Sequence, residues 1–223
     1  MPRGGTAPLE TIGILGGTFD PVHCAHLRLA LELRAALRLD SVRLMPAPSP
    51  RLRRAPEASA DVRMRLLEAA VADVPGLEAD GREISRPGPT VTAATLRAMR
   101  EELPDASLCL ILGMDALSRF DAWIDFERIP ALAHVVVAER PGFPSLPSDG
   151  AAADILHARR CDDPDAIRTA PAGFVLFVRG VPTLDISATR VRSLRARGES
   201  IRFLVPDRVH DIILKEDLYA HPC

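Results

Sequence analysis

The stretch TIGILGGTFDPVHCAH, residues 11–26, decides the fold. It opens on an apolar run, 11–15, that breaks at Gly16-Gly17 and leads into residues 26–39. There Leu27, Ala30, Leu31, Leu33 and Leu37 recur at helical spacing. A buried strand, a glycine turn and an amphipathic helix in that order make one β–α unit. Similar units follow along the chain. SVRLM (41–45) reads as a strand, and 46–56, with four prolines and three arginines, reads as a loop. Ser59 caps a helix running through Val74, and 92–102 is helical. SLCLIL (107–112), AHVVVA (133–138) and FVLFV (174–178) are further strands. Residues 141–171 form loops around a short helix, and 187–197 and 206–216 are the closing helices. The strands are continuous apolar runs separated by helices, so both faces of the sheet are covered. That predicts an α/β, doubly wound (Rossmann-like) parallel sheet with helices on both faces.

Ligands of such sheets bind beyond the carboxyl ends of the strands. The informative loops are therefore expected on one edge: 16–26, 46–56, 113–115, 140–142 and 185–192. The chain is expected to form one domain over 1–223, with 1–10 a flexible N-terminus and 181–223 a helical C-terminal part. Its 223 residues, 47% hydrophobic and 26% charged, suit a soluble globular protein. A net charge of −2 provides no global field for nucleic acid or an anionic membrane, so an anion must be held locally. Lys215 is the only lysine, which leaves arginine, histidine and backbone amides for that task. Cys24, Cys109, Cys161 and Cys223 show neither a CxxC pair nor zinc-ligand spacing. No signal peptide is evident, nor an apolar run near the roughly 20 residues that span a bilayer. The expected location is the cytoplasm.

Gly16–His26 carries most of the chemistry. Gly16 and Gly17 let backbone pass close to a bulky anion, and Pro21 stiffens the turn. His23 and His26, three apart, share a face at a helix start, where free N–H groups and the macrodipole favour anions. Imidazoles there can donate to phosphate oxygens during phosphoryl transfer. Other readings are histidines that only cap the helix, or a metal site, for which a third ligand is lacking. The dinucleotide fingerprint GxGxxG is absent. A second helix start, ISATRVR (186–192), offers the hydroxyls of Ser187 and Thr189 and the cation of Arg192, fit for a β- or γ-phosphate. Taken alone it is an ordinary N-cap.

GGTFDPVHCAH resembles the (H/T)xGH signature of the nucleotidyltransferase superfamily, and within it the bacterial nicotinate-nucleotide adenylyltransferase family. Ala25 stands where that family has Gly. ISATRVR resembles the superfamily's ISSTxxR, with Ala188 for the commoner Ser. Gly113-Met114-Asp115 resembles the family's GxD turn, whose carboxylate meets a ribose hydroxyl. Trp123 stands where the family stacks a tryptophan on the pyridine ring. Pro89-Thr90-Val91-Thr92 resembles its P(S/T)YT segment, and Arg140-Pro141-Gly142 its RPG turn. Pro50-Arg51-Leu52-Arg53 departs from its PPHK/R-like loop, so that Arg51 or Arg53 could serve the phosphates in place of the missing histidine.

The resemblance implies transfer of the adenylyl group of ATP to nicotinate mononucleotide in NAD biosynthesis, with pyrophosphate released. His23, His26 and Arg192 are the implied catalytic residues. ATP would meet Gly16, Gly17, Thr18, Phe19, His23, His26, Gly113, Asp115, Ile186, Ser187, Thr189 and Arg192. The acceptor would meet Thr18, Phe19, Asp20, Thr92, Trp123 and Arg140. No protein metal site is expected, and Mg²⁺ would arrive with ATP. Two other readings are a sister enzyme with another acceptor, such as nicotinamide mononucleotide or phosphopantetheine, and a silent nucleotide-binding module. The oligomeric state is not legible.

Overall fold

The first strand, β1 (Thr11–Gly17), is buried along both faces until its glycines, because side chains of alternate parity meet two different cores. Ile12 and Ile14 point into one core and Leu15 into the other. The same division recurs in β4 (Ser107–Gly113) and β5 (His134–Ala138). Leu108, Leu110, Leu112, Val135 and Val137 go one way; Cys109, Ile111, Val136 and Ala138 go the other. A strand hydrophobic at every position is thus the consequence of a sheet with two covered faces. This is a computed structural model, and it describes residues 9–48, 55–86, 88, 90–139 and 150–221.

The remaining strands are β2 (Ser41–Pro46), β3 (Leu77–Ala79) and β6 (Val175–Val178). All pair in parallel in the order β3-β2-β1-β4-β5-β6. Helices α1 (Cys24–Ala36) and α2 (Ala60–Val71) pack on one face with α7 (Ala188–Ala196) and α8 (Asp207–Lys215). On the other face lie α3 (Thr92–Glu102), α4 (Met114–Leu117), α5 (Ile129–Leu132) and α6 (Ala151–Ala158). The doubly wound parallel sheet expected from the sequence is present. Its strand order reverses between β1 and β4, and such a switch point opens a crevice at the carboxyl ends of those two strands. Among the described residues, no helix is long and apolar enough to cross a membrane.

Two local expectations need correction, and one strand was missed. The first helix begins at Cys24, not at residue 26, because His23 has extended φ/ψ (−142°, 168°) and serves as the N-cap. The second ends at Val71, short of Val74. β3 was not foreseen: three residues with Glu78 exposed between Leu77 and Ala79 have no periodicity to read. Residues 141–149 and the arginines of the 49–54 segment, Arg51 and Arg53 among them, lie outside the described residues.

Candidate active site

The two glycines at the end of β1 differ in their surroundings. A Cβ on Gly17 would stand 2.9 Å from the Phe19 ring, so this glycine admits internal packing. A Cβ on Gly16 would meet nothing within 4 Å, so its exposed backbone is open to a ligand. Gly113, at the end of β4 across the switch point, is equally open. It caps α4, whose second residue is the exposed Asp115. Thr18 is half-buried, whereas Phe19 is in the core with φ of 49°.

His23 and His26 occupy the N-cap and third position of α1, and their rings stack with centroids 3.6 Å apart. His26 also meets the edge of Phe19 at 4.9 Å. Its Nδ1 accepts the His23 N–H at 3.3 Å. An Nδ1 that accepts puts the proton of a neutral ring on Nε2, which becomes a donor. His23 is buried, and its Nδ1 has no hydrogen-bond partner among the described residues. Burial pulls its pKa down to about 4, so at neutral pH it contributes a hydrogen-bonding group and no charge.

This has a consequence for stability. The unfolded His23 takes up a proton near 6.5, the folded one only near 4, so its contribution is complete above about pH 6.5 and falls away towards about pH 4. His134 acts in the same direction. It is buried, its Nδ1 accepts the Phe174 N–H at 3.1 Å, and its Nε2 lies 2.9 Å from the Ala170 carbonyl, where it must donate. The unfolding free energy is expected to drop by about 3 kcal/mol across that window from His23 alone. Urea titrations at successive pH values check this, and a His23→Gln variant should show a flatter profile.

At the second helix start, Ser187 is the N-cap of α7 and its Oγ accepts the Arg190 N–H at 3.2 Å. Ile186 is half-buried; Ser187 and Thr189 are exposed. Arg192 reaches back to the first loop. Its Nη1 donates to the Asp20 carbonyl at 2.7 Å and its Nε to Glu57 at 2.7 Å, while Nη2 donates to no group among the described residues. The structure therefore joins the two helix openings directly. The linker between α7 and α8 adds another tie, with the Leu204 carbonyl accepting the Cys24 N–H at 2.9 Å.

Asp20, expected among the acceptor contacts, uses its carboxylate inside the protein. Oδ2 accepts the Glu57 N–H at 2.7 Å, and Oδ1 accepts the Ala58 N–H at 3.1 Å and the Tyr219 hydroxyl at 2.8 Å. Four per cent exposed, that carboxylate organises the loop.

Sequence reasoning missed Arg63, which is wholly buried in α2. Its guanidinium donates to the carbonyls of Thr18 (2.6 Å), Ala47 (2.7 Å), Pro48 (2.9 Å) and Ala58 (3.3 Å). One cation thus holds the β1 loop, the exit of β2 and the entrance of α2. A signal existed: Arg63, Leu66, Leu67 and Ala70 fall at i, i+3, i+4 and i+7, which places an arginine on the buried stripe. Tyr219 offered no such signal.

Thr92 opens α3 beside a cleft lined by Glu83, Arg86, Thr90, Val91 and Thr95. Thr95 donates to Glu83 at 2.8 Å, and burial raises the Glu83 pKa against that bond. The buried Thr90 hydroxyl makes no hydrogen bond of good geometry among the described residues, although it lies near enough to Glu83 to oppose the rise of its pKa. Trp123 is half-buried, 5.7 Å from the Phe120 ring. Arg140 and Pro89 lie outside the described residues. No group of three or more His, Cys, Asp or Glu suited to a metal ion occurs among the described residues.

The cytidylyltransferase-like family model matches residues 14–194. A probable nicotinate-nucleotide adenylyltransferase of Acidithiobacillus ferrooxidans is 46% identical over 96% of this chain and 97% of its own length. The chain belongs to the nicotinate-nucleotide adenylyltransferase family. A further family member, of Chromohalobacter salexigens, is 44% identical over 94% of this chain and 95% of its own length. Among solved structures, the nicotinic acid mononucleotide adenylyltransferase of Plasmodium falciparum complexed with NaAD superposes with a TM-score of 0.69. It is 17% identical and covers 96% of this chain and 98% of its own, which is a likeness of fold. The region matched by the family model includes both helix openings, the glycines at the ends of β1 and β4, and buried Arg63.

Proposed function

We propose that this chain transfers the adenylyl group of ATP to nicotinate mononucleotide, giving nicotinate adenine dinucleotide and pyrophosphate. The observation that carries the reading is the bond from Arg192 of α7 to the Asp20 carbonyl of the β1 loop. It ties the helix that carries Ser187, Thr189 and Arg192 to the loop leading into the paired imidazoles, after the strand where strand order reverses.

In the reaction a phosphate oxygen of the acceptor attacks the α-phosphorus, a new P–O bond forms, and the bond to the β-phosphate breaks to release pyrophosphate. The acceptor is itself the nucleophile, so no covalent enzyme intermediate is required. The protein's work is in-line alignment and stabilisation of charge. Gly16 and Gly17 give the triphosphate access to backbone, with Thr18 and Phe19 shaping the turn between them and α1. His26, as an Nε2 donor, stabilises the transition state, and His23 adds a neutral imidazole. Ser187, Thr189 and Arg192 hold the β,γ-phosphates, while Gly113, Asp115 and Ile186 receive the nucleoside. Thr92, Trp123 and Arg140 serve the acceptor. Asp20 contributes through its backbone and its hold on the loop. The divalent ion, Mg²⁺ in this reading, enters as part of the nucleotide substrate and neutralises phosphate charge there.

Pyrophosphate release with ATP and a panel of acceptors tests the proposal. Turnover on nicotinate mononucleotide should exceed that on nicotinamide mononucleotide and phosphopantetheine by at least about tenfold. Preference for another acceptor would make this a sister enzyme. ATP binding with no pyrophosphate release from any of them would make it a silent nucleotide-binding module.

A further inference from the structure

Asp20 is the best-coordinated carboxylate near the site, and one of its ligands comes from far along the chain. Tyr219, beyond α8, is 8% exposed and adopts a left-handed φ of 59°, a conformation that disfavours a bulky side chain. Its hydroxyl reaches Oδ1 of Asp20 at 2.8 Å. The other two bonds to that carboxylate come from consecutive backbone amides, Glu57 and Ala58. Arg192 Nη1 stands 3.8 Å from Oδ2, an ion-pair distance, while donating to the Asp20 carbonyl at 2.7 Å. Asp20 thus offers Arg192 two acceptors, and donors on the carboxylate decide how strongly the charged one competes. With the Tyr219 bond made, Oδ1 is satisfied and Arg192 stays on the carbonyl. Without it, Oδ1 would keep only the Ala58 N–H at 3.1 Å, and the less satisfied carboxylate would draw more strongly on the nearest cation.

We propose that Tyr219 is a positioning residue for the adenylyl transfer: by satisfying Asp20 it keeps Arg192 aligned for the nucleotide phosphates. This rests on the reading of Arg192 as a phosphate ligand. Tyr219 touches no reacting atom in this scheme. Its influence falls mainly on the nucleotide side, since its partner Asp20 holds Arg192, whereas Thr92 and Trp123, assigned to the acceptor ring, sit on α3 and after α4.

Calorimetric binding of MgATP and of nicotinate mononucleotide to the full chain tests this, since neither titration needs turnover. Tyr219→Phe removes one oxygen and keeps the packed ring. It should weaken MgATP binding about tenfold, leave acceptor binding within about twofold, and cost less than about twofold in an Arg192→Ala background. Unchanged MgATP binding in Tyr219→Phe, equal losses for both ligands, or an undiminished effect without Arg192 would overturn the proposal. If Arg192→Ala itself binds MgATP normally, the phosphate-ligand reading falls and takes the proposal with it. If Arg192→Ala has lost affinity while Tyr219→Phe has not, only the positioning role is gone.

Discussion

Replacement of His26 by alanine is expected to lower turnover by about 10²- to 10³-fold while costing about 1 kcal/mol of stability. The two effects have separate origins. Stability draws on the bond from the His23 N–H to Nδ1 of His26, a long one at 3.3 Å, and on the stacked and edge contacts of its ring. Turnover draws on Nε2, which the Nδ1 bond makes the donor. Charge building on the oxygens around the α-phosphorus needs a donor already in place, and water admitted by alanine must reorganise to supply one. Steady-state pyrophosphate release at saturating substrates, alongside thermal unfolding, separates the two. Near-wild-type turnover in a folded His26→Ala protein would remove His26 from the mechanism.

Arg63→Met should unfold at markedly lower denaturant, with a loss of about 3–5 kcal/mol by urea titration. Methionine approximates the aliphatic stem but abandons four partly buried carbonyls, those of Thr18, Ala47, Pro48 and Ala58, that meet a wholly buried side chain. Desolvation already lowers the Arg63 pKa, and the nearby Asp20 charge opposes it, so the cation is held by its surroundings more than by any single partner. Lysine should recover little, because one ammonium cannot reproduce donors spread over Nε, Nη1 and Nη2. The residual folded protein should also turn over slowly, as the β1 loop and the β2 exit lose their common anchor. A loss below about 1 kcal/mol would show that these carbonyls find other donors.

Much of the site's parts list was legible in the residues. Two glycines after a buried run, two histidines three apart and a hydroxyl-capped helix with an arginine each follow from local rules, and each lies where those rules put it. What those side chains do within the protein was less legible. Asp20 was expected to meet the acceptor; what the sequence could not show is that amides from residues 57–58 and a hydroxyl from Tyr219 bond its carboxylate. Hydrogen bonds that span 37 to 199 residues leave no local pattern. The edge strand β3 went unseen because it is stabilised by its parallel partner, Leu77 beside Val42, and not by its own three residues.

The sequence by itself determined the class of the sheet. A strand apolar at every position can be buried only when both faces are covered, and glycine ends and intervening helices make such strands parallel. It also determined which residue types stand at the two helix starts. Tertiary structure alone decided that α7 reaches the loop before α1, through Arg192 and the Asp20 carbonyl, and that a buried arginine and a distant tyrosine brace that loop. The physical reason is range: hydrophobic periodicity and capping act within one or two turns of chain, whereas a buried charge is satisfied by whatever donors and acceptors the finished fold brings to it.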